Sequence, residues 1–347
     1  MMSGVPEFPS IFITGITGYI GGDVWHAISE KYPSCAARAS CLVRTKEKGV
    51  QVLSRYPSIR LVYGDLDNRE LIEAEASKAD IILHLASIEH VDSSRAISRA
   101  LQTREKRHQP TYWIAISGTD NIAWEDCKNK TYGEPPSDQI YDDWEGLSAV
   151  ASLPESAPHR DVEIIQLESG GDFAKTAIVS APCIYGIGRG SINQRSIQIP
   201  DLARYTLQNG YGLQLGRGLS IWPNVHIEDL SDVFLRIFEE AIHNGSRASW
   251  NREGYYFAEN GEHVWREVAS LLSREAQKSG LIQSAEVRSF EADEADKHID
   301  FASLFYGAMS RCRAIRARRL LEWEPRHAGI EEAVLEALEI EARRLEI

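Results

Sequence analysis

Three regularly spaced glycines follow the first apolar run of the 347-residue chain. Gly15, Gly18 and Gly21 come directly after residues 10–14, and two residues separate each glycine from the next. Glycines at such positions permit a sharp turn out of a strand, a close approach of the backbone to a pyrophosphate and tight packing of the next helix. The N–H groups at the start of that helix attract anions. The segment therefore predicts a dinucleotide site with the candidate residues Gly15, Thr17, Gly18, Tyr19, Ile20 and Gly21.

A basic segment follows the second predicted strand, at the position where the ribose of a dinucleotide is usually recognised. An acidic residue there would accept hydrogen bonds from the 2′-hydroxyl of NAD, but this chain has Arg44 instead. The planar guanidinium of Arg44 can pair with a 2′-phosphate, and Lys46 or Lys48 can add positive charge. We therefore expect NADP(H) to be the favoured cofactor, with NAD(H) as the alternative.

The segments around these residues alternate between apolar strands and helical stretches. Predicted strands cover residues 10–14, 40–43, 59–63, 81–86, 111–117 and 176–181. The first predicted helix covers residues 19–32 and ends before Pro33. Nearly continuous apolar strands that alternate with helices indicate a parallel sheet covered on both faces. The expected fold class is α/β, a Rossmann-type doubly wound parallel sheet with a smaller, mostly helical C-terminal substrate-binding region.

The pattern changes in the second half of the chain. Residues 1–188 are expected to form the dinucleotide-binding domain, and residues 222–258 to return to it through a helix at 229–242 and a strand at 254–258. Residues 189–221 and 259–347 are expected to form the substrate-binding region. The helices predicted there cover residues 200–209, 262–279 and 330–345, with the apolar stripe of the last at Leu335, Leu338, Ala342 and Leu345. The acidic segment 284–297 is expected to be solvated.

The glycine spacing resembles that of the short-chain dehydrogenase/reductase superfamily, in its extended and atypical branches, which include epimerase/dehydratase-like and NmrA-like proteins. Further segments resemble family motifs in the same order along the chain; they are residues 64–66, 84–87, 181–186, 224–230 and 321–325. The resemblance covers nearly the whole chain. It implies adenine contacts from Asp65 and Leu66, and positions beside the cofactor for Leu85, Ala86, Ser87 and Ser117.

The catalytic pattern of that superfamily is matched only in its first part. Members usually carry a Ser or Thr after the fifth strand, where this chain has Ser117 and Thr119. They also carry a Tyr-x-x-x-Lys motif, in which Tyr is the general acid or base and Lys lowers its pKa. No Tyr of this chain is followed four residues later by Lys, and Tyr141 has Glu145 at that offset.

Three other side chains are candidates for the missing roles. His159 and Arg160 lie in the segment that resembles the Lys-bearing helix, where a His could exchange protons near neutral pH and an Arg could supply positive charge. The alternative is a solvent-exposed pair at a helix start. Tyr185 is a candidate from the loop after the sixth strand, with a packing role as its alternative. The candidate catalytic residues are therefore Ser117, Thr119, His159, Arg160 and Tyr185.

Composition excludes several classes of protein. The chain has 38 basic and 51 acidic residues, a net charge of −13, which argues against duplex nucleic acid and anionic lipid as partners. There is no apolar run long enough for a transmembrane helix, and residues 1–7 do not resemble a secretory signal, so we expect a cytoplasmic protein. The five cysteines include no Cys-x-x-Cys pair. We therefore expect neither a disulfide framework nor a metal site.

The resemblance implies an NADPH-dependent oxidoreductase that reduces a carbonyl or imine in a small organic molecule, such as a secondary metabolite. Two alternatives stay open. One is a non-catalytic, NADP(H)-sensing NmrA-like regulator. The other is an isomerase, epimerase or cyclase that uses the same fold without net hydride transfer, because fold alone does not decide function. The expected partners are a small-molecule substrate and a second copy of the chain in a homodimer.

Overall fold

The computed structural model describes residues 8–103, 109–136, 138–243 and 245–347. Residues 1–7, on which the expectation about a secretory signal rests, lie outside the described residues. The strands are β1 (Ile11–Thr14), β2 (Ala39–Val43), β3 (Arg60–Tyr63), β4 (Ile81–His84), β5 (Thr111–Gly118), β6 (Tyr141–Asp142), β7 (Ala174–Ala181), β8 (Cys183–Tyr185), β9 (Gly212–Leu215), β10 (Ile221–His226), β11 (Tyr255–Phe257), β12 (Glu262–Val264), β13 (Val287–Phe290) and β14 (Cys312–Arg313).

The α-helices are α1 (Tyr19–Lys31), α2 (Lys46–Arg55), α3 (Arg69–Ala76), α4 (Val91–Thr103), α5 (Trp124–Asn129), α6 (Leu147–Ala151), α7 (Arg160–Glu168), α8 (Gln198–Asn209), α9 (Ile227–Ile242), α10 (Trp265–Lys278), α11 (Ala292–His298), α12 (Arg316–Leu321) and α13 (Ile330–Leu345). A 3-10 turn covers Thr119–Ala123, directly after β5. None of the helices in the described ranges is long and apolar enough to cross a membrane.

A seven-stranded parallel sheet forms the centre of the molecule, in the order β11-β7-β5-β4-β1-β2-β3. Ile11 of β1 pairs with Ala39 on one side and with Ile81 on the other, so β1 lies in the middle. All residues of β1, β2, β4 and β5 are buried, which explains their nearly continuous apolar sequences. The expected Rossmann-type α/β fold is confirmed.

Side chains alternate between the two faces of this sheet and create two cores. On one face, Ile11 and Ile13 pack in a cluster with residues of α1 and α9, such as Val24 and Phe234. On the other face, Phe12 packs in a cluster with residues of α3 and α4. Because successive strand residues point to opposite faces, three residues of β1 supply both cores. The sheet is thereby covered on both faces, and its carboxyl ends stay open at one edge.

The rest of the chain builds a smaller unit beside the carboxyl ends of the strands. Helices α8, α10 and α13 share one hydrophobic core, to which Leu202, Leu272 and Leu338 contribute. Small sheets border it: β12, β10 and β8 form one, β9 pairs with β13, and β6 pairs with β14. Strand β11 joins the central sheet next to β7. The two units therefore face each other across the ends of the central strands.

Three local expectations need revision. Helix α10 begins at Trp265 rather than at residue 262, because residues 262–264 form β12 and pair with β10. The segment 284–297 is largely exposed, as expected, but it contains β13 and most of α11. Leu335 is 43% exposed, so its assignment to the buried stripe of α13 is wrong. The buried face of that helix is centred instead on Val334, Ala337, Leu338 and Glu341.

Candidate active site

Two adjoining cavities lie at the carboxyl ends of the central strands. The first, which we call the glycine-loop cavity, has a volume of about 400 Å³ and includes the turn after β1. The second, the apolar cavity, has a volume of about 390 Å³ and includes the end of β5. Gly18, Leu85, Ala86 and Ser87 line both cavities, so the two form one cleft. Ligands of open α/β sheets bind at this edge.

Most of the candidate cofactor residues line this cleft. Those in the glycine-loop cavity are Gly15, Thr17, Gly18, Arg44, Asp65, Leu66, Leu85, Ala86 and Ser87. Those in the apolar cavity are Gly18, Tyr19, Ile20, Leu85, Ala86, Ser87 and Ser117. Gly21 and Lys48 are not among the lining residues.

The geometry of the three glycines fits a bound pyrophosphate. Gly15 has φ +87°, and a Cβ on it would lie 2.4 Å from the carbonyl oxygen of Leu85. A Cβ on Gly21 would lie 2.3 Å from the carbonyl oxygen of Gly15, so this glycine lets α1 pack against the turn. A Cβ on Gly18 would meet only that same oxygen within 4 Å, at 3.2 Å, and would otherwise extend into open space. Gly18 thus leaves room for a ligand.

The N-terminus of α1 provides partial positive charge beside the glycine turn. Its N-cap Gly18 has no side chain to satisfy the first backbone N–H groups, and the first turn contains no acidic residue. These N–H groups have no partner within the helix, so an anion in the cleft can accept hydrogen bonds from them. The residues present therefore fit the diphosphate of a dinucleotide.

Arg44 follows β2 directly and is exposed at the rim of the glycine-loop cavity. Lys48 lies one turn into α2, where its backbone N–H donates a hydrogen bond to Thr45 Oγ1 over 3.3 Å. A hydrogen bond borders the same cavity, in which His90 Nε2 donates to Asp67 Oδ1 over 3.1 Å. Sequence reasoning did not assign these two residues to the cofactor site. Arg44 and His90 are the basic side chains that line this cavity in the described chain.

Thr119 and Ser117 reach the apolar cavity from the end of β5, but their hydroxyl groups differ. Thr119 Oγ1 is buried and has no hydrogen-bond partner in the described ranges. An unpaired buried hydroxyl beside a cavity is available to a ligand atom. Ser117 Oγ instead donates to Glu163 Oε1 over 2.6 Å, so its hydroxyl is already engaged on the other side.

Glu163 is the centre of a buried polar network behind the cleft. Its carboxylate accepts hydrogen bonds from Ser117, from Asn121 and Tyr255 over 3.0 Å each, and from Arg160 over 3.1 Å. Burial raises the pKa of Glu163 above its ordinary value, although these hydrogen bonds oppose the shift. Arg160 is therefore hydrogen-bonded to Glu163 in the protein interior and does not line the cleft.

His159 is buried and pairs with Asp120. Its Nε2 donates to Asp120 Oδ2 over 2.5 Å, and Asp120 itself lines the apolar cavity. Burial alone would lower the pKa of His159, but the hydrogen bond and the charge of Asp120 raise it. The alternative of a solvent-exposed His159–Arg160 pair is wrong, since these residues are only 8% and 4% exposed. His159 reaches the cleft through Asp120, which sequence reasoning missed.

Tyr185 lies outside the cleft. Its hydroxyl donates to the carbonyl oxygen of Ala328 over 2.9 Å, and its ring is 1% exposed. It borders a separate cavity of about 240 Å³ between β8 and α13. Its position matches the alternative of a packing aromatic, and the structure does not bring it together with Thr119.

A group of side chains with metal-binding chemistry lies away from the cleft. His226, Glu228 and His327 have ligand atoms within 4.8 Å of one another. The two imidazole rings stack with centroids 4.6 Å apart, and Arg189 forms an ion pair with Glu228 over 2.8 Å. His327 Nδ1 also donates to Asp229 Oδ1 over 2.8 Å. Ion pairs, a hydrogen bond and ring stacking thus explain why these side chains lie together.

A doubly wound sheet with an anion-binding glycine turn defines a dinucleotide-binding α/β protein. Residues 11–108 match the model of the NAD dependent epimerase/dehydratase family. "Oxidase ucsJ" from Acremonium sp is 39% identical over 325 residues, which cover 91% of this chain and 92% of that protein. The chain therefore belongs to the NAD-dependent epimerase/dehydratase family, within the short-chain dehydrogenase/reductase enzymes.

More distant proteins are similar to this chain over nearly its whole length. The uncharacterized protein YLL056C of Saccharomyces cerevisiae is 22% identical and aligns over 93% of this chain and 97% of its own length. The structure of dTDP-glucose 4,6-dehydratase from Bacillus anthracis in complex with NAD superposes with a TM-score of 0.66 at 15% identity, covering 97% of both chains. UDP-glucose 4-epimerase from Thermotoga maritima with UDP-glucose gives 0.64 at 13% identity, covering 97% of this chain and 99% of that one.

Proposed function

We propose that this protein is an NADP(H)-dependent oxidoreductase that transfers hydride between the cofactor and a carbonyl, imine or corresponding reduced carbon of an uncharged, largely apolar small molecule. The observation that carries the proposal is the continuity of the cleft. The glycine turn at Gly18, which fits a diphosphate, leads directly into an apolar cavity lined by Thr119, whose buried hydroxyl has no hydrogen-bond partner in the described chain. The similarity to a protein named as an oxidase supports redox chemistry.

Arg44 supports NADP(H) as the cofactor. It lies where the second strand ends, at the edge of the glycine-loop cavity, and no acidic side chain takes that position. A guanidinium there would bind a 2′-phosphate through charge-assisted hydrogen bonds. Asp65 lies in the same cavity and would accept a hydrogen bond from the adenine amino group, as the family resemblance implies.

The lining of the apolar cavity supports an uncharged substrate. Aliphatic and aromatic side chains dominate it, and they include Ile116, Trp222 and Phe305. Asp120 and Arg195 are its charged lining residues in the described chain. Arg195 is already engaged by Asp201 over 2.8 Å and by Glu341 over 2.9 Å. A second diphosphate, as in the sugar nucleotides of the two solved relatives, would therefore find no free cation among these residues.

The residues of the cavity would prepare the substrate for hydride transfer. The bound cofactor supplies or accepts the hydride. Thr119 Oγ1 would donate a hydrogen bond to the substrate oxygen or nitrogen and thereby stabilise negative charge that develops there. The apolar side chains, including Ile88 and Ile184, exclude water and so strengthen this hydrogen bond.

Cofactor binding and turnover test this proposal together. NADPH and NADH are titrated against the purified protein by their fluorescence, and consumption of NADPH is followed with an apolar aromatic diketone, 9,10-phenanthrenequinone, as the probe. We expect tighter binding of NADPH than of NADH and steady NADPH consumption, with Thr119→Val reducing the rate. Tight binding of NADPH without its consumption, with this probe and with a panel of apolar ketones and imines, would instead favour the regulator or the non-redox alternative.

A further inference from the structure

Three titratable side chains form a line from the apolar cavity to the protein surface. Asp120 borders the cavity and is 7% exposed. His159 lies behind it with Nε2 2.5 Å from Asp120 Oδ2 and is 8% exposed. On the other side of the ring, Nδ1 lies 3.8 Å from Oε1 of Glu89, whose side chain is 75% exposed. The line therefore begins beside the substrate position and ends in solvent.

We propose that Asp120, His159 and Glu89 form a proton relay that replaces the Tyr-x-x-x-Lys pair missing from this sequence. Asp120 exchanges the proton with the substrate, His159 carries it through its ring, and Glu89 exchanges it with water. The proposal rests on the proposed oxidoreductase function, because a proton must accompany each hydride.

Every electron pair and proton of the proposed reduction can be accounted for. In the direction of reduction, hydride from NADPH forms the new C–H bond, and the electrons of the C=O π bond move to the oxygen. That oxygen takes a proton from the carboxyl group of Asp120. Asp120 obtains this proton from Nε2 of the positively charged His159 ring, and the neutral ring then regains one proton from Glu89 or water. The sum is R₂C=O + NADPH + H⁺ → R₂CHOH + NADP⁺, and the oxidation runs through the same groups in reverse.

Local geometry holds the Asp120 carboxylate in place. Asp120 belongs to the 3-10 turn after β5, and a Cβ on Gly118 would lie 2.3 Å from Asp120 Oδ1. Glycine at position 118 therefore leaves the space that this carboxylate occupies. His159 adopts φ +60°, a conformation that is uncommon for a residue with a side chain and that aims its ring from the start of α7 at Asp120.

The groups that face the imidazole of His159 favour its protonated, positively charged form. Burial opposes that form, but Asp120, Glu89 and Glu163 all raise the pKa of His159. The neighbouring Arg160 directs its guanidinium to Glu163 and to the carbonyl oxygen of Ala151. His159 Nδ1 is buried and has no hydrogen-bond partner in the described chain. The 3.8 Å gap to Glu89 can be closed by rotation of its exposed side chain or by one water molecule.

One further titratable group faces Asp120. The thiol of Cys127 feels its charge, but burial and the charges of Asp126 and Asp120 raise the pKa of Cys127 to about 11. This thiol therefore stays neutral across the physiological range and does not compete with His159 for protons.

The first test is chemical rescue of the relay in NADPH consumption with 9,10-phenanthrenequinone. His159→Gly removes the ring at a backbone conformation that glycine adopts freely, so the fold should survive. We expect a rate loss of about 10²-fold or more, the usual size of acid–base assistance. Added imidazole should restore part of the rate in His159→Gly but not in Asp120→Asn. Absence of rescue in a variant that still binds NADPH would overturn the relay.

Glu89→Gln tests the outer end of the line. Proton exchange with water should slow, so we expect a lower rate at high pH and a larger solvent isotope effect on turnover, with NADPH affinity unchanged. Glu267→Gln is the matched control, because Glu267 is an exposed carboxylate on α10 outside the cleft. Identical pH profiles and isotope effects for Glu89→Gln and the wild type would contradict the role of Glu89.

A titration without turnover separates this proposal from the proposed function. The His159 imidazole is followed by NMR as a function of pH in the NADP⁺-bound wild type and in Asp120→Asn. We expect the pKa of His159 to fall in the variant, because burial then acts without the carboxylate that opposes it. An unchanged pKa would overturn the relay. Failure of the wild type to consume NADPH would contradict the oxidoreductase function, whereas this titration still decides whether the two side chains share a proton.

Discussion

Replacement of Arg44 by Ser tests the recognition of the 2′-phosphate most directly. Arg44 lies at the rim of the glycine-loop cavity, directly after the last residue of β2. Its side chain is exposed, so its removal should leave the core unchanged. NADPH should lose its phosphate contacts, whereas NADH has no phosphate at this position to lose.

The expected loss follows from the number and kind of contacts. Hydrogen bonds between charged groups contribute about 1.5–3 kcal/mol, and about 1.4 kcal/mol corresponds to a tenfold change in affinity. The range is therefore roughly 10- to 150-fold. Arg44 is exposed, and solvent screens exposed ion pairs, so we expect a value near the lower end. Affinity for NADH should change by less than about twofold.

The assay is a fluorescence or calorimetric titration of both cofactors at two salt concentrations. Lys297→Ser is the matched control, because Lys297 is an exposed cation on α11 that does not line the cavity. Wild-type affinity for NADPH should fall with salt, and this dependence should weaken in Arg44→Ser but not in Lys297→Ser. If Arg44→Ser keeps the wild-type ratio of NADPH to NADH affinity, the assignment of Arg44 is refuted.

Four further changes have defined outcomes. Gly18→Trp should fold, as judged by circular dichroism, but lose NADPH binding, because its side chain would fill the open space beside the turn; wild-type affinity would exclude this loop as the cradle. Gly21→Ala should lower the free energy of unfolding by about 1–3 kcal/mol in urea titrations, since its Cβ would lie 2.3 Å from the carbonyl oxygen of Gly15; unchanged stability would contradict the close packing of α1. Thr119→Val should lower kcat about 3- to 10-fold with unchanged cofactor affinity, the effect of one hydrogen bond, and full activity would remove Thr119 from the site. Burial lowers the pKa of His84 to about 4, so the unfolded chain binds more protons below pH 6.5 and stability falls as the pH drops from there to 4. In His84→Gln this fall should be shallower by up to about 1.4 kcal/mol per pH unit in urea titrations at pH 7 and pH 5, and equal slopes would count against a neutral, buried His84.

The central sheet was predictable because its strands carry a local signal. Buried parallel strands need apolar residues on both faces, and runs such as residues 81–86 contain little else. The short strands of the second unit lack this signal. Strand β10 contains Pro223, which lowers the expectation of a strand, and it is defined by pairing with β8 and β12. Tertiary contacts rather than local pattern specify such elements.

The candidate site also contains some parts that the sequence predicts and others that it does not. The glycine turn is predictable because its spacing and its place after a strand are visible in the sequence. The pairing of His159 with Asp120 spans 39 positions, and no local pattern connects the two residues. Arg160 and Glu163 were closer to prediction, since a separation of three places them on one face of a helix. That spacing could have indicated that Arg160 pairs with Glu163 in the interior.

The most direct test of the proposed hydride transfer is to follow the hydride itself from the cofactor to the product. Two samples of NADPH, each with deuterium on one of the two faces at C4 of the nicotinamide, are incubated with the protein and benzophenone, an apolar ketone whose alcohol keeps its carbinol hydrogen, and the product is analysed by mass spectrometry. We predict deuterium at the carbinol carbon from one sample and not from the other, because the cleft should hold the cofactor in one orientation against the apolar cavity. A transformed product without deuterium from either sample would contradict net hydride transfer by this site.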